Sequence, residues 1–134
     1  MAEFTWPVRV YYEDTDAGGV VYYANYLKFF ERARTEFLRS LGFEQDRLLK
    51  REGVLFAVRS VQVDYRRPAR FNDLLSVTCR VTGLKRASVD FFQQVRCGEN
   101  PLCQAEVRIA CLDAVRFRPR PIPSSLWRVL QTHE

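Results

Sequence analysis

One stripe of residues constrains this chain more than any other. Tyr26, Phe30, Ala33, Phe37 and Leu41 recur at helical spacing, widened by Leu27 and Leu38, while Lys28, Arg32, Thr35 and Arg39 mark a wet face. Gly42 is placed to stop the run. The pattern predicts a helix of about 17 residues, roughly 25 Å long. A stripe this broad and aromatic needs a large concave partner, and the remaining segments read as strands.

Trp6, Val8, Val10 and Tyr12 alternate with Pro7, Arg9 and Tyr11, which predicts a first strand over Thr5 to Tyr12. Pro7 cannot donate to a ladder, so this strand belongs at an edge or has Pro7 near its start. A short helix is expected from Glu44 to Glu52, ending at Gly53. Phe56 to Tyr65 alternates with a phase slip near Arg59 and Ser60, the mark of a bulge. Leu75 to Val81, Val89 to Val95 and Cys103 to Cys111 give three further faces. Turn chemistry at 70–73, 83–86 and 98–101 joins them as antiparallel neighbours. Pro119, Pro121 and Pro123 exclude helix and central strand, and Ser124 or Ser125 is placed to cap a terminal turn through Leu130. The expected class is α+β, one antiparallel sheet curled around one helix, in a single domain over 1–134.

With 134 residues and 47% hydrophobic content, the chain can bury a core of that size. Met-Ala-Glu-Phe-Thr-Trp-Pro is not a basic segment followed by an apolar one, and no apolar run reaches membrane-spanning length. A soluble, cytoplasmic protein is expected. Cys79, Cys97, Cys103 and Cys111 sit in strand-like segments with no CxxC pair, so they read as free thiols and not as a metal site. The net charge of +5 favours anionic ligands. Nucleic acid is not among them, since the sequence has no RNP-like aromatic pair, no helix-turn-helix signal and no finger spacing.

Between the first strand and the helix, Asp14 and Asp16 precede the pair Gly18-Gly19. A carboxylate beside a helix start would face exposed backbone N–H groups, a ready site for an anionic oxygen. Read from residue types alone, the two aspartates are equally a turn or cap pair. His133 is the chain's one histidine and lies in a tail expected to fray, so histidine-based triads are excluded and a carboxylate is left as base or nucleophile.

The run from Tyr11 through Glu13-Asp14-Thr15-Asp16-Ala17-Gly18-Gly19-Val20-Val21-Tyr22, with Asn25-Tyr26 and Glu31 to Glu36 after it, resembles the hotdog-fold acyl-CoA thioesterases. It is most similar to the YbgC branch associated with the Tol-Pal system, and also to the 4-hydroxybenzoyl-CoA thioesterase type. The resemblance implies a five- or six-stranded sheet wrapped on the helix. It also implies dimers joined edge to edge, often paired into tetramers, with the site at the dimer interface. Asp16 matches the catalytic aspartate, and the Tyr23 backbone N–H matches the carbonyl-polarising donor. Members of the YbgC branch often carry histidine at this position. Lys85 and Arg86 match the segment that contacts the phosphates of coenzyme A. Resemblance alone also implies partners in acyl carrier protein or phospholipid-synthesis enzymes and a place peripheral to the inner membrane.

A thioester suits this residue set. Its thiol leaves at a pKa of about 8.5 without a strong general acid, whereas esters and amides need more help. Asp16 can then attack the carbonyl or deprotonate water, and no metal or redox cofactor is required. Gly18 and Gly19 shape the turn that carries Asp16, and Glu31 stands near the apolar stripe as a supporting residue. Arg32 and Glu36 have the spacing of a surface ion pair. The non-enzyme alternative is a hotdog module that only binds acyl-CoA or acyl carrier protein, against which the intact Asp16-Gly18-Gly19 constellation argues.

Overall fold

Three polar contacts hold the central helix to the sheet and to the loop leading into it in this computed structural model, which describes residues 3–134. The helix is α1, Asn25–Ser40. The Ala69 N–H donates to Tyr26 Oη at 2.9 Å. Fully buried Gln93 donates through Nε2 to the carbonyls of Phe30, at 3.0 Å, and Thr78, at 3.2 Å. Its Oε1 accepts from Arg34 Nη1 at 2.9 Å. Satisfying both ends of a buried amide avoids the roughly 1–3 kcal/mol cost of an unpaired polar group.

Around this helix run β1 (Phe4–Arg9), β2 (Val54–Tyr65), β3 (Leu74–Leu84), β4 (Ser88–Cys97) and β5 (Asn100–Asp113). They form one antiparallel sheet in the order β1-β3-β4-β5-β2. Its five strands match the α+β wrap implied by the resemblance, at the smaller of the two strand counts. The shorter helices are α2 (Gln45–Glu52) and α3 (Ser124–Thr132). No helix among the described residues is long and apolar enough to cross a membrane.

The alternating residues do what their period demands. Leu75, Val77, Cys79 and Val81 on β3, and Cys103, Ala105, Val107, Ile109 and Cys111 on β5, all point into the core. From α1 they meet Tyr26, Phe29, Phe30, Ala33, Phe37 and Leu38, and each such large side chain contributes about 1.5–3 kcal/mol by burial. The phase slip is a real bulge: pairing with β5 shifts between Val58 and Ser60 and leaves Arg59 out of register. Pro7 lies on edge strand β1, opposite Ser76.

Several expectations are corrected. The first strand stops at Arg9 instead of Tyr12, because Tyr12–Asp14 forms a 3-10 turn in which Asp14 Oδ2 accepts the Tyr11 N–H at 2.8 Å. Phe29, outside the expected stripe, is buried, whereas Leu27 is 40% exposed. The cap of α3 is Pro123, with no serine side chain bonded, and the helix reaches Thr132. His133 is docked, not frayed, with its ring edge-on to Phe37 at 5.7 Å. Arg32 lies over the Phe29 ring and Glu36 pairs with Arg39, so the expected Arg32–Glu36 pair does not form.

Burial pushes the Cys103 thiol up to about 12 and Cys111 to about 11, and raises Cys79 as well. Cys97 alone is partly exposed. At pH 8 an aromatic disulfide reagent should therefore titrate at most one thiol in the native protein and four in denaturant. Rapid reaction of three or four thiols without denaturant would contradict this packing.

Candidate active site

The loop between β1 and α1 is a miniature hairpin with Asp16 at its corner. Thr15 bridges Val21, the Asp16 N–H donates to the Val20 carbonyl at 2.9 Å, and the Gly19 N–H donates to the Asp16 carbonyl at 3.0 Å. Gly19 has φ +77°, a conformation that side-chain-bearing residues rarely adopt. Gly18 donates its N–H to Asp16 Oδ1 at 2.8 Å, and a Cβ there would come within 3.2 Å of the same oxygen. Gly18 thus restrains the Asp16 carboxylate, and Gly19 the backbone turn that carries it. Its second oxygen has no hydrogen-bond partner among the described residues, and the side chain is exposed in the single chain.

Asp14 has the structural role. Its carboxylate closes the 3-10 turn, while its carbonyl accepts the Tyr22 N–H at 3.0 Å and Asn25 Nδ2 at 2.9 Å. The hairpin is thereby tied to the first residue of α1. The Val21 N–H, donating to the Ala69 carbonyl at 2.9 Å, ties it to the approach to β3.

At the helix start, Ala24 is the cap and no side chain bonds the first turn. Among the described residues no acceptor receives the N–H of Tyr23 or of Ala24. The carbonyl of Tyr23 is held by Tyr65 Oη at 3.1 Å, which fixes the plane of that turn. The Tyr23 phenol raises the neighbouring Tyr22 phenol above its ordinary range, and the Asp16 carboxylate adds to the shift in the same direction. A carboxylate and two open amides at the positive end of a helix dipole thus share one short segment.

The other expected residues lie apart from it. Glu31 is exposed farther along α1, where its carboxylate accepts Thr35 Oγ1 at 3.4 Å, and it borders a cavity of about 550 Å³. Lys85 and Arg86 are exposed in the β3–β4 turn. Within one chain they sit at the far end of β3 from Asp16, separated by roughly 33 Å of strand.

The structure adds neighbours to that turn. The Ile122 N–H donates to the Arg86 carbonyl at 2.9 Å and Trp127 Nε1 to the Lys85 carbonyl at 3.1 Å. This brings the segment carrying Arg116, Arg118 and Arg120 to the same end of the sheet. Arg120 is held by Asp113 Oδ1 at 3.3 Å and by the Gly53 carbonyl at 3.2 Å. The Arg116 N–H, with that of Val115, keeps the Asp113 carboxyl below its usual range. Arg116 and Arg118 form no ion pair among the described residues. The sequence displayed this basic run but gave no sign of its contact with residues 85–86, which depends on tertiary packing.

The profile of the Thioesterase-like superfamily matches residues 10–130. The acyl-CoA thioester hydrolase YbgC of Escherichia coli O6:H1 is 48% identical over 124 residues, covering 92% of each chain. The acyl-CoA thioesterase YbgC of Haemophilus influenzae is 46% identical over 92% of this chain and 90% of that one. A probable thioesterase from Bartonella henselae superposes with a TM-score of 0.87 at 40% identity, covering 91% of this chain and all (100%) of that one. With its Asp16 hairpin leading into an uncapped helix, the chain belongs to the thioesterase-like superfamily, in the YbgC branch of hotdog-fold thioesterases.

Proposed function

We propose that this protein hydrolyses an acyl-CoA thioester to a carboxylate and free coenzyme A. The observation that carries the reading is the pair of open amides at Tyr23 and Ala24 in the segment that also positions the Asp16 carboxylate. A thioester oxygen placed on those amides gains charge as the carbonyl is attacked. Removing one such donor typically costs about 3–4 kcal/mol of transition-state stabilisation. Asp16 supplies the other half, as nucleophile toward the carbonyl carbon or as base toward a water held there. Tyr23 acts through its main chain, which removes any need for the imidazole often found at this position in the branch.

The phosphate contacts come from a second chain. β2 is an unpaired edge, with Val58 52% and Val61 41% exposed on it. Antiparallel pairing of two β2 edges about a two-fold axis sets the Tyr65 end of one chain beside the Val54 end of the other. Tyr65 holds the Tyr23 turn, whereas Val54 adjoins Gly53, Asp113 and the basic turn. One chain's Asp16 is thereby brought to the same end as Lys85, Arg86, Arg116 and Arg118 of its partner. Coenzyme A phosphates fit that cluster, since guanidinium and ammonium groups donate charge-assisted bonds to phosphate oxygens. Glu31, bordering the cavity of about 550 Å³ beside α1, is a supporting residue. Membership of the YbgC branch supports the remaining proposals: further assembly into tetramers, a cytoplasmic location near the inner membrane, a link to Tol-Pal, and encounters with acyl carrier protein or phospholipid-synthesis enzymes.

Asp16→Asn keeps the shape of the side chain and removes its charge. It should give a folded oligomer whose kcat for acyl-CoA hydrolysis falls at least about a hundredfold. Near-normal turnover would discard the assignment. Replacing Lys85 and Arg86 together by Ala should raise KM about tenfold or more for acyl-CoA but not for an acyl-pantetheine lacking the nucleotide phosphates. Equal effects on the two substrates would contradict a phosphate-binding role.

A further inference from the structure

The open amides of Tyr23 and Ala24 each belong to a peptide unit whose carbonyl end is held. Both units are trans, so in each the C=O and the N–H point in opposite directions across one rigid plane. Fixing the carbonyl therefore aims the amide. The Tyr22 carbonyl accepts the Asn25 N–H at 2.8 Å, which sets the plane ending in the Tyr23 N–H from within the turn itself. The Tyr23 carbonyl, whose plane ends in the Ala24 N–H, accepts no backbone N–H among the described residues. Its donor is Tyr65 Oη at 3.1 Å, so this second plane is set from the sheet, by a side chain 42 positions away.

Tyr65 is itself firmly placed. It ends β2 opposite Cys103, and the next two residues, Arg66 and Arg67, both donate their N–H groups to the Leu102 carbonyl, at 2.9 and 3.0 Å. Its ring meets those of Tyr23 and Tyr26 edge-on, with centroids 6.2 and 5.6 Å apart. Tyr26 is a core residue whose own hydroxyl accepts the Ala69 N–H, so one wall of the slot that holds Tyr65 is fixed. Burial raises the Tyr65 phenol above its ordinary range, and its hydroxyl is a donor at neutral pH.

We propose that Tyr65 is a positioning residue for thioester hydrolysis: its hydroxyl, bonded to the Tyr23 carbonyl, aims and polarises the Ala24 N–H toward the carbonyl oxygen of the substrate. The inference rests on the acyl-CoA hydrolysis reading and deepens it. A hydrogen bond accepted at one end of a peptide strengthens the donor at the other, because electron density moves along the amide toward the bonded oxygen. A donor aimed in advance needs no reorganisation as charge grows on the thioester oxygen. Without the hydroxyl the Ala24 plane is free to tilt, while the Tyr23 amide and Asp16 are held by other bonds. The loss falls on kcat and not on KM, since this donor is called on most strongly in the transition state.

The test compares the full-length wild type with Tyr65→Phe, folding being checked by circular dichroism, on the best substrate among butanoyl-, octanoyl-, hexadecanoyl- and benzoyl-CoA. Tyr65→Phe should lower kcat about tenfold, with KM changed by no more than about twofold. A second readout is the infrared spectrum of the matching analogue in which CH2 replaces the thioester sulfur, a ketone that cannot be hydrolysed. Binding to the wild type should move its carbonyl stretch to lower frequency than in buffer, and Tyr65→Phe should lose about a quarter or more of that displacement. Tyr26→Phe is the control: it deletes a neighbouring tyrosine hydroxyl bond, to the Ala69 N–H, and should lower Tm while leaving kcat and the ketone signal unchanged. Wild-type kcat and ketone signal in folded Tyr65→Phe, or an equal loss of both in Tyr26→Phe, would overturn the proposal while leaving hydrolysis intact. A wild type that hydrolyses none of the four substrates would instead overturn the acyl-CoA reading, and this inference with it.

Discussion

Backbone amides left open at the start of a buried helix, those of Tyr23 and Ala24 among them, are the constraint on which the rest of this molecule depends. Helix starts usually find a side-chain acceptor for such groups, commonly Ser, Thr, Asp or Asn at the cap. Here the cap is Ala24, and the nearby Asn25 side chain is spent on the Asp14 carbonyl. The open donors follow the hairpin that holds Asp16 by a few residues in the chain, and the Asp16 carboxylate is itself restrained by the Gly18 N–H on one oxygen only. An uncapped helix is tolerable because the stabilisation comes from elsewhere: Tyr26, Phe29, Phe30, Ala33, Phe37 and Leu38 are buried against the sheet.

The same helix divides its labour by face. Its buried side supplies the core, and Gln93 bonds its backbone at Phe30 to the sheet at Thr78. Its side toward β2 leaves Leu27 and Glu31 exposed over a groove instead of packed. A residue pattern optimised only for stability would have filled that groove. Leaving it open, beside a long unpaired edge strand, makes sense when another chain and a ligand complete the surface.

Much of this was legible in the residues, and for physical reasons. Alternation on β3 and β5 fixes which face is buried, because strand side chains point to opposite sides. The slip at Arg59 and Ser60 marked a bulge since an extra residue inverts the phase of everything after it. Gly18 and Gly19 foretold a turn: Gly19 has the positive φ that disfavours a side chain, while a Cβ at Gly18 would press only on the Asp16 carboxylate. What stayed hidden depends on contacts distant in the chain. Tyr12 continued an apolar alternation but was captured by a local turn at Asp14, and Ser124 was a plausible cap for a helix that starts without one. The contact of the 116–122 segment with Lys85 and Arg86, and the hydrogen bond between Arg34 and buried Gln93, join residues tens of positions apart with no local signature.

The central claim is that one chain provides Asp16 and the open amides while its partner provides the basic cluster at residues 85–86. Subunit mixing tests it most directly. A chain carrying Asp16→Asn and a chain carrying Lys85→Ala with Arg86→Ala are assayed separately, then after exchange, at acyl-CoA concentrations well below KM. In a two-fold dimer each mixed pair rebuilds one complete site, so random exchange should restore about a quarter of the wild-type rate. A mixture no more active than the mean of the two separate variants would contradict a site shared between chains.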